Sequence, residues 1–416
     1  MHTSLEITTV GVELSVPEMF EAQARLTPDA VAVSFEGERV TYRELNESSN
    51  RLANFLRTAG VASNTLCGIC VERSIEMIVG VLGILKAGGA YVPLDAAYPS
   101  ERLAHMFEEA RMQVLLTQKG LVGKLETSKS DGTNLVLLDA DWQTISQDSA
   151  ENPGVKSAAQ EAAYVIFTSG STGRPKGVVM NHGALCNLLD WQLASSRAAG
   201  DGRKTVQFAS LSFDVSFQEI FSTLCGGGQL VLIKDEIRRD VRRLWDLLVA
   251  EQIERLFLPP VVLQRLAEVA DRQTRLPASL REIIVAGEQL KITPQIRRMF
   301  SQMPGCTLQN QYGPTESHVV AAHSLAGESI SWPELPPIGR AIANTQLHIL
   351  DEHLQPVEAV AAGELYIGGV CLATGYLHRE DLTAERFILS PFRGQGSGRQ
   401  SFERLYRTGD LARRLP

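Results

Sequence analysis

The amino-acid sequence predicts an α/β fold with helix-covered, mostly parallel sheets and a smaller β-rich unit. The chain has 416 residues, of which 44% are hydrophobic and 21% charged, and this composition excludes wholesale disorder. Short apolar runs alternate with helical stretches through most of the sequence. Gly contributes 34 residues while aromatic residues make up only 6%, a balance that favours an α/β enzyme with many tight loops over an aromatic-rich β-sandwich.

Continuous rather than alternating apolar runs indicate the strands of the predicted parallel sheet. Helices cover both faces of such a sheet, so its strands need no polar face. One helix is predicted over Glu44 to Arg57, where Leu45, Leu52 and Leu56 share a face. The strand-like runs are residues 113–117, 135–139, 164–168, 206–209, 229–233, 255–258 and 282–286.

The pattern of apolar and polar residues changes after about Pro336. Residues 346–350 and 364–368 alternate apolar and polar side chains more clearly, and turn residues separate them closely, which predicts a β-rich unit. We therefore divide the chain into an N-terminal tail (1–15), paired α/β sheet subdomains (16–335) and a β-rich subdomain (336–416).

The charge balance restricts the classes of partner. Lys and Arg number 40 against 48 Asp and Glu, a net charge of −8, which argues against a nucleic-acid-coating protein or a basic membrane surface. The start of the chain has no basic region followed by an apolar core, and the longest apolar stretch, residues 77–85, is about half a membrane span. We expect no nucleic-acid partner, no membrane partner and a cytoplasmic location.

The sharpest local feature is a loop rich in Gly, Ser and Thr that follows the apolar run at Tyr164. Glycines let the backbone turn its N–H groups toward an anion, hydroxyls add short donors, and Lys176 adds a mobile charge, so the loop is predicted to bind phosphate. A Walker A loop needs Gly-Lys-Ser/Thr, but Pro175 precedes Lys176 and Gly177 follows it, which counts against a P-loop kinase or ATPase. A flexible surface loop is the alternative. Residues 167–177 read FTSGSTGRPKG.

Together with six further motifs, this loop makes the chain resemble the ANL superfamily of adenylate-forming enzymes. It is most similar to an amino-acid-activating adenylation domain of a nonribosomal peptide synthetase, and the resemblance covers nearly the whole chain. The other motifs are TYREL (41–45), LKAGGAYVPLD (85–95), FDVS (213–216), NQYGPTE (310–316), GELYIGGVCLATGYL (363–377) and YRTGDL (406–411).

The resemblance implies the N-terminal core fold of that superfamily: two packed sheets in αβαβα layers plus a smaller distorted β-barrel. It also implies an ATP-dependent, AMP-forming ligase with ATP and Mg²⁺ as cofactors. An amino-acid carboxylate attacks the α-phosphorus of ATP, pyrophosphate leaves, and an aminoacyl-AMP remains. Catalysis then comes from holding the reactants in line and neutralising charge, and little covalent chemistry falls to the protein.

Nucleotide-binding residues are carried over at the matching motif positions. Tyr312 is expected to stack on adenine, Glu316 to bind the Mg²⁺ that bridges the ATP phosphates, and Asp410 to accept hydrogen bonds from both ribose hydroxyls. The alternatives are a solvated surface turn for Glu316 and a turn former for Asp410. The expected catalytic residues are Thr168, Lys176 and Glu316, and the cofactor-binding residues are Thr168, Ser169, Gly170, Ser171, Thr172, Gly173, Lys176, Gly287, Glu288, Asn310, Gln311, Tyr312, Gly313, Thr315 and Asp410.

Asp214 is the most informative carboxylate, because its neighbours in LSFDVSF (211–217) are apolar and an unpaired charge among them would be costly. The resemblance supplies a cationic partner, the α-ammonium of the amino acid, while a helix N-cap is the alternative. The pocket carried over is mostly apolar with two neutral amides, so we expect a large amphipathic substrate such as Tyr, Gln or Arg. Its residues are Asp214, Val215, Gln218, Phe257, Ile284, Ala286, Gln311, Val319 and Val320.

Partners follow from the resemblance as well. The acyl group passes to the phosphopantetheine thiol of a carrier protein, and condensation domains belong to the same parent synthetase. The chain ends at Pro416, directly after the seventh motif, without the hinge motif or the small C-terminal subdomain that the resemblance implies. We therefore expect a large N-terminal core that binds ATP and amino acid but turns them over poorly.

Two other functions stay open. An acyl- or aryl-CoA ligase of the same superfamily is the nearer one, and Asp214 together with the AYVPLD motif counts against it. A nucleotide- and amino-acid-binding module without turnover is the other. His318 and His323 lie five residues apart with no evident third ligand, so no zinc site is expected.

Overall fold

Strands of this chain assemble into three sheets. The computed structural model describes residues 14–125, 132–169, 174–196, 200, 202–358, 360–392 and 404–415. The strands are β1 (Val31–Phe35), β2 (Glu38–Thr41), β3 (Leu66–Cys70), β4 (Ala90–Pro93), β5 (Val114–Thr117), β6 (Asn134–Leu137), β7 (Ala162–Ser169), β8 (Pro175–Asn181), β9 (Lys204–Gln207), β10 (Gln229–Leu232), β11 (Arg255–Leu258), β12 (Glu282–Val285), β13 (Thr307–Tyr312), β14 (Ala321–Leu325), β15 (Arg340–Ala341), β16 (Thr345–Leu350), β17 (Gly363–Gly369), β18 (Gly375–Tyr376), β19 (Phe387–Leu389) and β20 (Arg404–Ala412).

Side-chain caps begin several of the helices. Ser15 and Thr41 each form a capping box with the Glu three residues later, which satisfies free N–H groups at the first turn. The helices are α1 (Val16–Leu26), α2 (Tyr42–Thr58), α3 (Ile75–Lys86), α4 (Ser100–Ala110), α5 (Val122–Leu125), α6 (Trp142–Ile145), α7 (His182–Ser195), α8 (Val215–Leu224), α9 (Asp235–Arg239), α10 (Val241–Ala250), α11 (Pro260–Ala270), α12 (Pro294–Ser301) and α13 (Glu380–Arg386).

The first large sheet has the strand order β18-β8-β7-β4-β3-β5-β6 within the described residues. Its five strands β7, β4, β3, β5 and β6 are parallel neighbours, and β8 and β18 add an antiparallel edge. The four residues of β4 and of β5 are all buried, as expected where helices cover both faces.

The second large sheet has the order β15-β14-β13-β12-β11-β9-β10-β1-β2 in the part of the chain that the structure describes. The strands from β13 to β1 run parallel, and β2, β14 and β15 join antiparallel at the two edges. Open α/β sheets bind their ligands at the carboxyl ends of parallel strands, so the loops after β9, β12 and β13 form the expected ligand-binding edge of this sheet.

Helices α3 and α8 lie between the two large sheets. Every residue of α3 except the exposed Glu76 is buried, and the helix contacts β3 and β4 of the first sheet as well as β1 of the second. Nearly all of α8 is buried against β9 and β10 and against α7. A helix that is apolar all round is expected in such a central layer.

A small antiparallel sheet, ordered β16-β17-β20-β19, completes the fold, and among the described residues it does not close into a barrel. Between β17 and β19 the chain returns to the first large sheet, where Gly375 and Tyr376 of β18 pair with β8.

The predicted fold class of two helix-covered, mostly parallel sheets with a smaller β unit is confirmed by this architecture and by the solved relatives described below. The predicted helix over 44–57 lies inside α2, and each of the seven apolar runs overlaps a strand. The boundary at 335/336 stays a prediction, because β15 and β18 after it extend the two large sheets. Among the helices that the structure describes, none is both long and apolar enough to cross a membrane.

Candidate active site

Lys176, Glu316 and Tyr376 meet where the first large sheet faces the loop after β13. The Lys176 Nζ atom lies 2.9 Å from Glu316 Oε1 and 2.9 Å from the Tyr376 hydroxyl oxygen. The Tyr376 hydroxyl in turn donates to Glu316 Oε1 at 2.7 Å. We call these three residues the phosphate end, because Lys176 and Glu316 are the groups that the sequence predicts to act on the ATP phosphates.

Burial and charge oppose each other at Glu316. Its side chain is only 8% exposed, and burial alone would raise the pKa of its carboxyl. The ammonium of Lys176 and the hydrogen bond from Tyr376 outweigh burial and hold the pKa of Glu316 below its ordinary value. Glu316 is therefore an ionised carboxylate at neutral pH, as a metal ligand must be.

Thr168 lies opposite Lys176 in the β7–β8 ladder. Its Oγ1 atom is buried and has no hydrogen-bond partner among the described residues. A hydroxyl and a carboxylate are the hard oxygen ligands that suit Mg²⁺, so the residues present fit that ion. Ser169 ends β7 and is exposed, and the predicted positions Gly170, Ser171, Thr172 and Gly173 lie outside the described residues.

Tyr312 and Asp410 form a second polar pair. The Tyr312 hydroxyl, at the end of β13, donates to Asp410 Oδ2 on β20. Burial, with the neighbouring Asp410 carboxylate, raises the pKa of Tyr312, so it stays a neutral phenol and a donor. The predicted roles on adenine and ribose stay predictions. The contact nevertheless brings the NQYGPTE motif (310–316) and the YRTGDL motif (406–411) together.

The remaining predicted nucleotide residues follow β12, lie on β13 or belong to the β13–β14 connection. A Cβ atom on Gly313 would lie 1.7 Å from the His318 carbonyl oxygen, so this turn accepts only glycine. Gly287 has a φ of +92° directly after β12, and Glu288 beside it is exposed. Asn310 donates to the Pro337 carbonyl at 2.9 Å, and Thr315 is half-buried in the turn before Glu316.

Asp214 is the N-cap of α8, where its Oδ1 accepts the N–H of Val215 at 2.8 Å. Helix capping was the alternative weighed for this residue, and the structure shows that contact. His318 connects Asp214 to the Glu316 turn: its Nδ1 accepts the N–H of Val319, so its Nε2 carries the proton and donates to the Asp214 carbonyl at 3.0 Å. Burial lowers the pKa of His318, which keeps the ring neutral.

The two predicted pocket amides belong to a buried cluster of four glutamines, Gln192, Gln218, Gln309 and Gln311, which we call the glutamine floor. Gln218 Nε2 donates to Gln192 Oε1 at 2.6 Å and to Gln311 Oε1 at 3.0 Å. Gln311 Nε2 donates to Gln192 Oε1 at 3.1 Å and to Gln309 Oε1 at 2.6 Å. One donor, Gln192 Nε2, and one acceptor, Gln218 Oε1, have no partner among the described residues.

The other predicted pocket residues are apolar. Phe257 on β11 and Ile284 on β12 face each other across paired strands, and both are buried. Val319 and Val320 are buried after the Glu316 turn, whereas Val215 and Ala286 are half-buried. Their role in substrate selection stays a prediction.

His182 begins α7, just past the predicted phosphate loop. The ring accepts the N–H of Val16 through Nδ1 at 3.4 Å and is only 1% exposed. Burial lowers the pKa of His182 to about 4. The contact with α1 indicates a structural role for this histidine.

Comparisons with known proteins decide the family. The family model described as "AMP-binding enzyme" matches residues 20–377. This chain belongs to the AMP-binding enzyme family. Over 416 residues it is 44% identical to gramicidin S synthase 2 of Brevibacillus brevis, covering all of this chain and 9% of that protein. It is 42% identical over 400 residues to tyrocidine synthase 2 of Brevibacillus parabrevis, covering 96% of this chain and 11% of that protein.

Two solved structures show the same fold. The nonribosomal peptide synthetase FmoA3 in its AMPPNP-bound form matches with a TM-score of 0.88 and 33% identity, over 97% of this chain and 42% of that one. The N-terminal subdomain of Klebsiella oxytoca NpsA matches with a TM-score of 0.79 and 25% identity, over 96% of this chain and 97% of that one. The predicted family resemblance is confirmed, and the chain spans about a tenth of the curated synthases named above.

Sequence reasoning missed three residues that shape this AMP-binding enzyme's candidate site. Tyr376 stands inside a recognised motif, but no local pattern indicates that its hydroxyl joins Lys176 to Glu316. Gln192 stands on α7, far in sequence from its two amide partners. Arg73 follows β3, and only the packing of the two large sheets reveals its contacts.

Arg73, which follows β3 of the first large sheet, binds the segment that follows β9 of the second. Its guanidinium donates to the Phe208 carbonyl at 2.7 Å and the Ala209 carbonyl at 2.8 Å, and it also contacts Gln207. Buried Glu219 binds the N–H groups of the same segment, and burial raises the pKa of its carboxyl to about 8. Arg73 thereby binds the carbonyl groups, and Glu219 the N–H groups, of the backbone segment that precedes Asp214.

Proposed function

We propose that this chain selects an amino acid and activates it with ATP to an aminoacyl-AMP, releasing pyrophosphate. The observation that carries the proposal is the Lys176–Glu316 pair, a mobile cation and an ionised carboxylate 2.9 Å apart at the edge of the β7–β8 hairpin. Family membership supports it, as do the FmoA3 structures with AMPPNP and with alpha-methyl-L-serine-AMP bound.

Each residue is given a role by its chemistry. Lys176 neutralises phosphate charge as pyrophosphate leaves, and Glu316 with Thr168 would hold Mg²⁺, which supplies further neutralisation when bound. Tyr312 and Asp410 bind the adenosine, and Asp214 pairs with the substrate ammonium. The protein thus positions the carboxylate against the α-phosphorus and forms no covalent bond itself.

The side chain of the amino acid is selected at the glutamine floor, and Tyr, Gln or Arg were expected. A phenol or a carboxamide both donates and accepts, so it would match the unpaired Gln192 donor and Gln218 acceptor, whereas a guanidinium only donates. We therefore favour Tyr or Gln over Arg. An apolar side chain is the second candidate, because the four amides pair mostly with one another.

We further propose that the parent synthetase supplies the partners. A carrier protein with a phosphopantetheine thiol would receive the acyl group, and condensation domains would use it. These proposals rest on relatives of which the chain spans only 9% and 11%. A cytoplasmic location stays a prediction.

Ligand-dependent thermal stabilisation tests the proposal on this chain. Each of the proteinogenic amino acids is added with MgATP, and formation of aminoacyl-AMP is followed by mass spectrometry. We expect stabilisation by MgATP and a distinct aminoacyl-AMP with Tyr or Gln. Preference for an apolar amino acid would favour the second candidate, and preference for an acidic one would contradict both.

The same assay, repeated with aryl and fatty acids in place of amino acids, separates the alternative functions. Aryl or fatty acids replacing amino acids in the adenylate would indicate an acyl- or aryl-CoA ligase. Binding of MgATP and amino acid without any adenylate would indicate a binding module. Lack of MgATP binding would contradict the proposed function altogether.

A further inference from the structure

We infer that Tyr376 is a positioning residue that prepares Lys176 and Glu316 for a metal–nucleotide complex. The inference rests on the proposed function and adds to it a residue outside the predicted site. The Tyr376 hydroxyl stands between the two charges, accepting from Lys176 Nζ at 2.9 Å and donating to Glu316 Oε1 at 2.7 Å. The hydroxyl thus bonds to both charged groups, and Tyr406 in addition hydrogen-bonds to Tyr376 and to Glu316.

Tyr376 is held in place independently of these charges. Its backbone N–H donates to Thr383 Oγ1 at 2.9 Å, and its ring packs edge-on against Phe387 with the centroids 5.8 Å apart. The ring is 5% exposed. A phenol fixed in this way can orient its neighbours, because its own position does not depend on them.

The same stretch of chain also fixes the backbone on both sides of the phosphate end. The N–H of Ala373 donates to the Glu316 carbonyl at 2.8 Å, and the N–H of Leu377 donates to the Gly177 carbonyl at 2.8 Å. Residues 373–377 therefore connect the β8 strand that carries Lys176 to the loop that carries Glu316. Tyr376 is the member of this stretch whose side chain reaches both charged groups.

The two charges neutralise each other in the structure, and a nucleotide must divide them. A phosphate draws Lys176 toward itself, which leaves the Glu316 carboxylate with Tyr406 and with the 2.7 Å hydrogen bond from the Tyr376 hydroxyl. That hydrogen bond keeps the carboxylate oriented for the metal. The Lys176 ammonium meanwhile lies 4.0 Å from the centroid of the Tyr376 ring, an additional attraction that limits how far it swings.

Calorimetric titration of the full chain with two probes tests this inference. Tyr376→Phe keeps the ring and removes the hydroxyl. We expect it to weaken MgATP binding about tenfold, the size of a lost hydrogen bond to a charged group, and to change AMP binding in EDTA at most about twofold. Equal losses for both probes, or unchanged MgATP affinity, would overturn the inference.

Tyr42→Phe is the matched control, since it removes a buried hydroxyl that donates to the Gly228 carbonyl at 2.7 Å, away from the site. We expect it to lower the melting temperature without separating the two probes. A MgATP-selective loss in this control equal to that of Tyr376→Phe would also overturn the inference. Wild-type protein that binds no MgATP would contradict the proposed function instead, which keeps the two failures distinct.

A double-mutant cycle with Glu316→Gln tests whether the hydroxyl acts through the carboxylate. We expect the loss of MgATP affinity in the double variant to be clearly smaller than the product of the two single losses. Independent losses would contradict a positioning role. If Tyr376→Phe does not fold, Thr383→Ala takes its place, with an expected loss of about threefold for MgATP from the loosened backbone. Unchanged MgATP affinity in that variant would count against the inference.

Discussion

The phosphate end and the glutamine floor bury polar groups in opposite ways. Lys176 and Glu316 carry full charges that neutralise each other, so the contact can open when a stronger ionic partner arrives. The glutamine floor carries no charge, and its amides share their hydrogen bonds within the cluster. A reaction that moves charge needs groups of the first kind, while selection of a side chain needs a rigid surface of the second kind.

The largest expected effect comes from removing the cation at the phosphate end. Lys176→Met is expected to slow aminoacyl-AMP formation about 100- to 1,000-fold, because developing phosphate charge loses a preorganised partner. Single-turnover assays with labelled ATP measure this rate. Lys234→Met is the control, since it removes another lysine–carboxylate pair, with Glu36, that is exposed on both sides. Equal losses in both variants would remove the distinction between the phosphate end and a surface ion pair.

His182 begins α7, the helix that also carries Gln192 of the glutamine floor, and its buried, neutral ring predicts that the free energy of unfolding falls at acid pH. The pKa of His182 is about 4 in the folded chain against about 6.5 when unfolded, so the unfolded state binds the proton more tightly. Its contribution is present above pH 6.5 and is lost as the pH falls toward 4, by about 3 kcal/mol at most.

Urea unfolding of His182→Gln from pH 7 to pH 4 tests this dependence. The variant is expected to lose stability less steeply on the acid side than the wild type. His353→Gln serves as the control, because His353 is 78% exposed. A wild-type slope in His182→Gln would show that other groups account for the acid sensitivity.

Replacing Arg73 tests whether the backbone segment before Asp214 needs a cation to hold it in place. Arg73→Met leaves three carbonyls of the segment 207–209 without their donor, and we expect a loss of about 2 kcal/mol in unfolding free energy. Amino-acid-dependent stabilisation is expected to fall more than that by MgATP. Arg43→Met, which breaks an exposed pair with Asp29, is the control and is expected to change neither.

The smallest expected effect concerns the glutamine floor itself. Gln192→Leu removes the acceptor shared by Gln218 and Gln311, at an expected cost of about 1 kcal/mol in unfolding free energy. The preferred amino acid should shift toward apolar side chains, as measured in the amino-acid scan. An unchanged preference would place selection outside the glutamine floor. Gln264→Leu, which removes a half-buried amide that donates to Glu268 and accepts from Thr293, controls for the loss of a hydrogen-bonded glutamine outside the glutamine floor.

The sequence predicted the two large sheets well because continuous apolar runs have a single physical explanation, coverage on both faces. Lys176 and Glu316 were found through motifs whose residues lie close together along the chain. Tyr376 and Arg73 were not found, because their contacts join segments 60 to 200 residues apart and only the packed sheets create them.

The glutamine floor shows a subtler limit of sequence reasoning. Gln218 and Gln311 were placed in the pocket by motif position, and their amides were expected to contact the substrate. Residue position alone does not reveal that Gln192 and Gln309 also bond to them. Asp214 likewise caps α8, which the sequence presented as the alternative to a role at the substrate ammonium, and that role stays a prediction.

The return of the chain to the first large sheet at β18 has a mechanical consequence. Tyr376 belongs to that sheet, while β17 and β19 on either side of it in sequence belong to the small sheet. Rotation of the small sheet would therefore displace residues 373–377 and strain the contacts that keep Lys176 beside Glu316. Through this connection, movement of the small sheet would change the distance between the Lys176 ammonium and the Glu316 carboxylate.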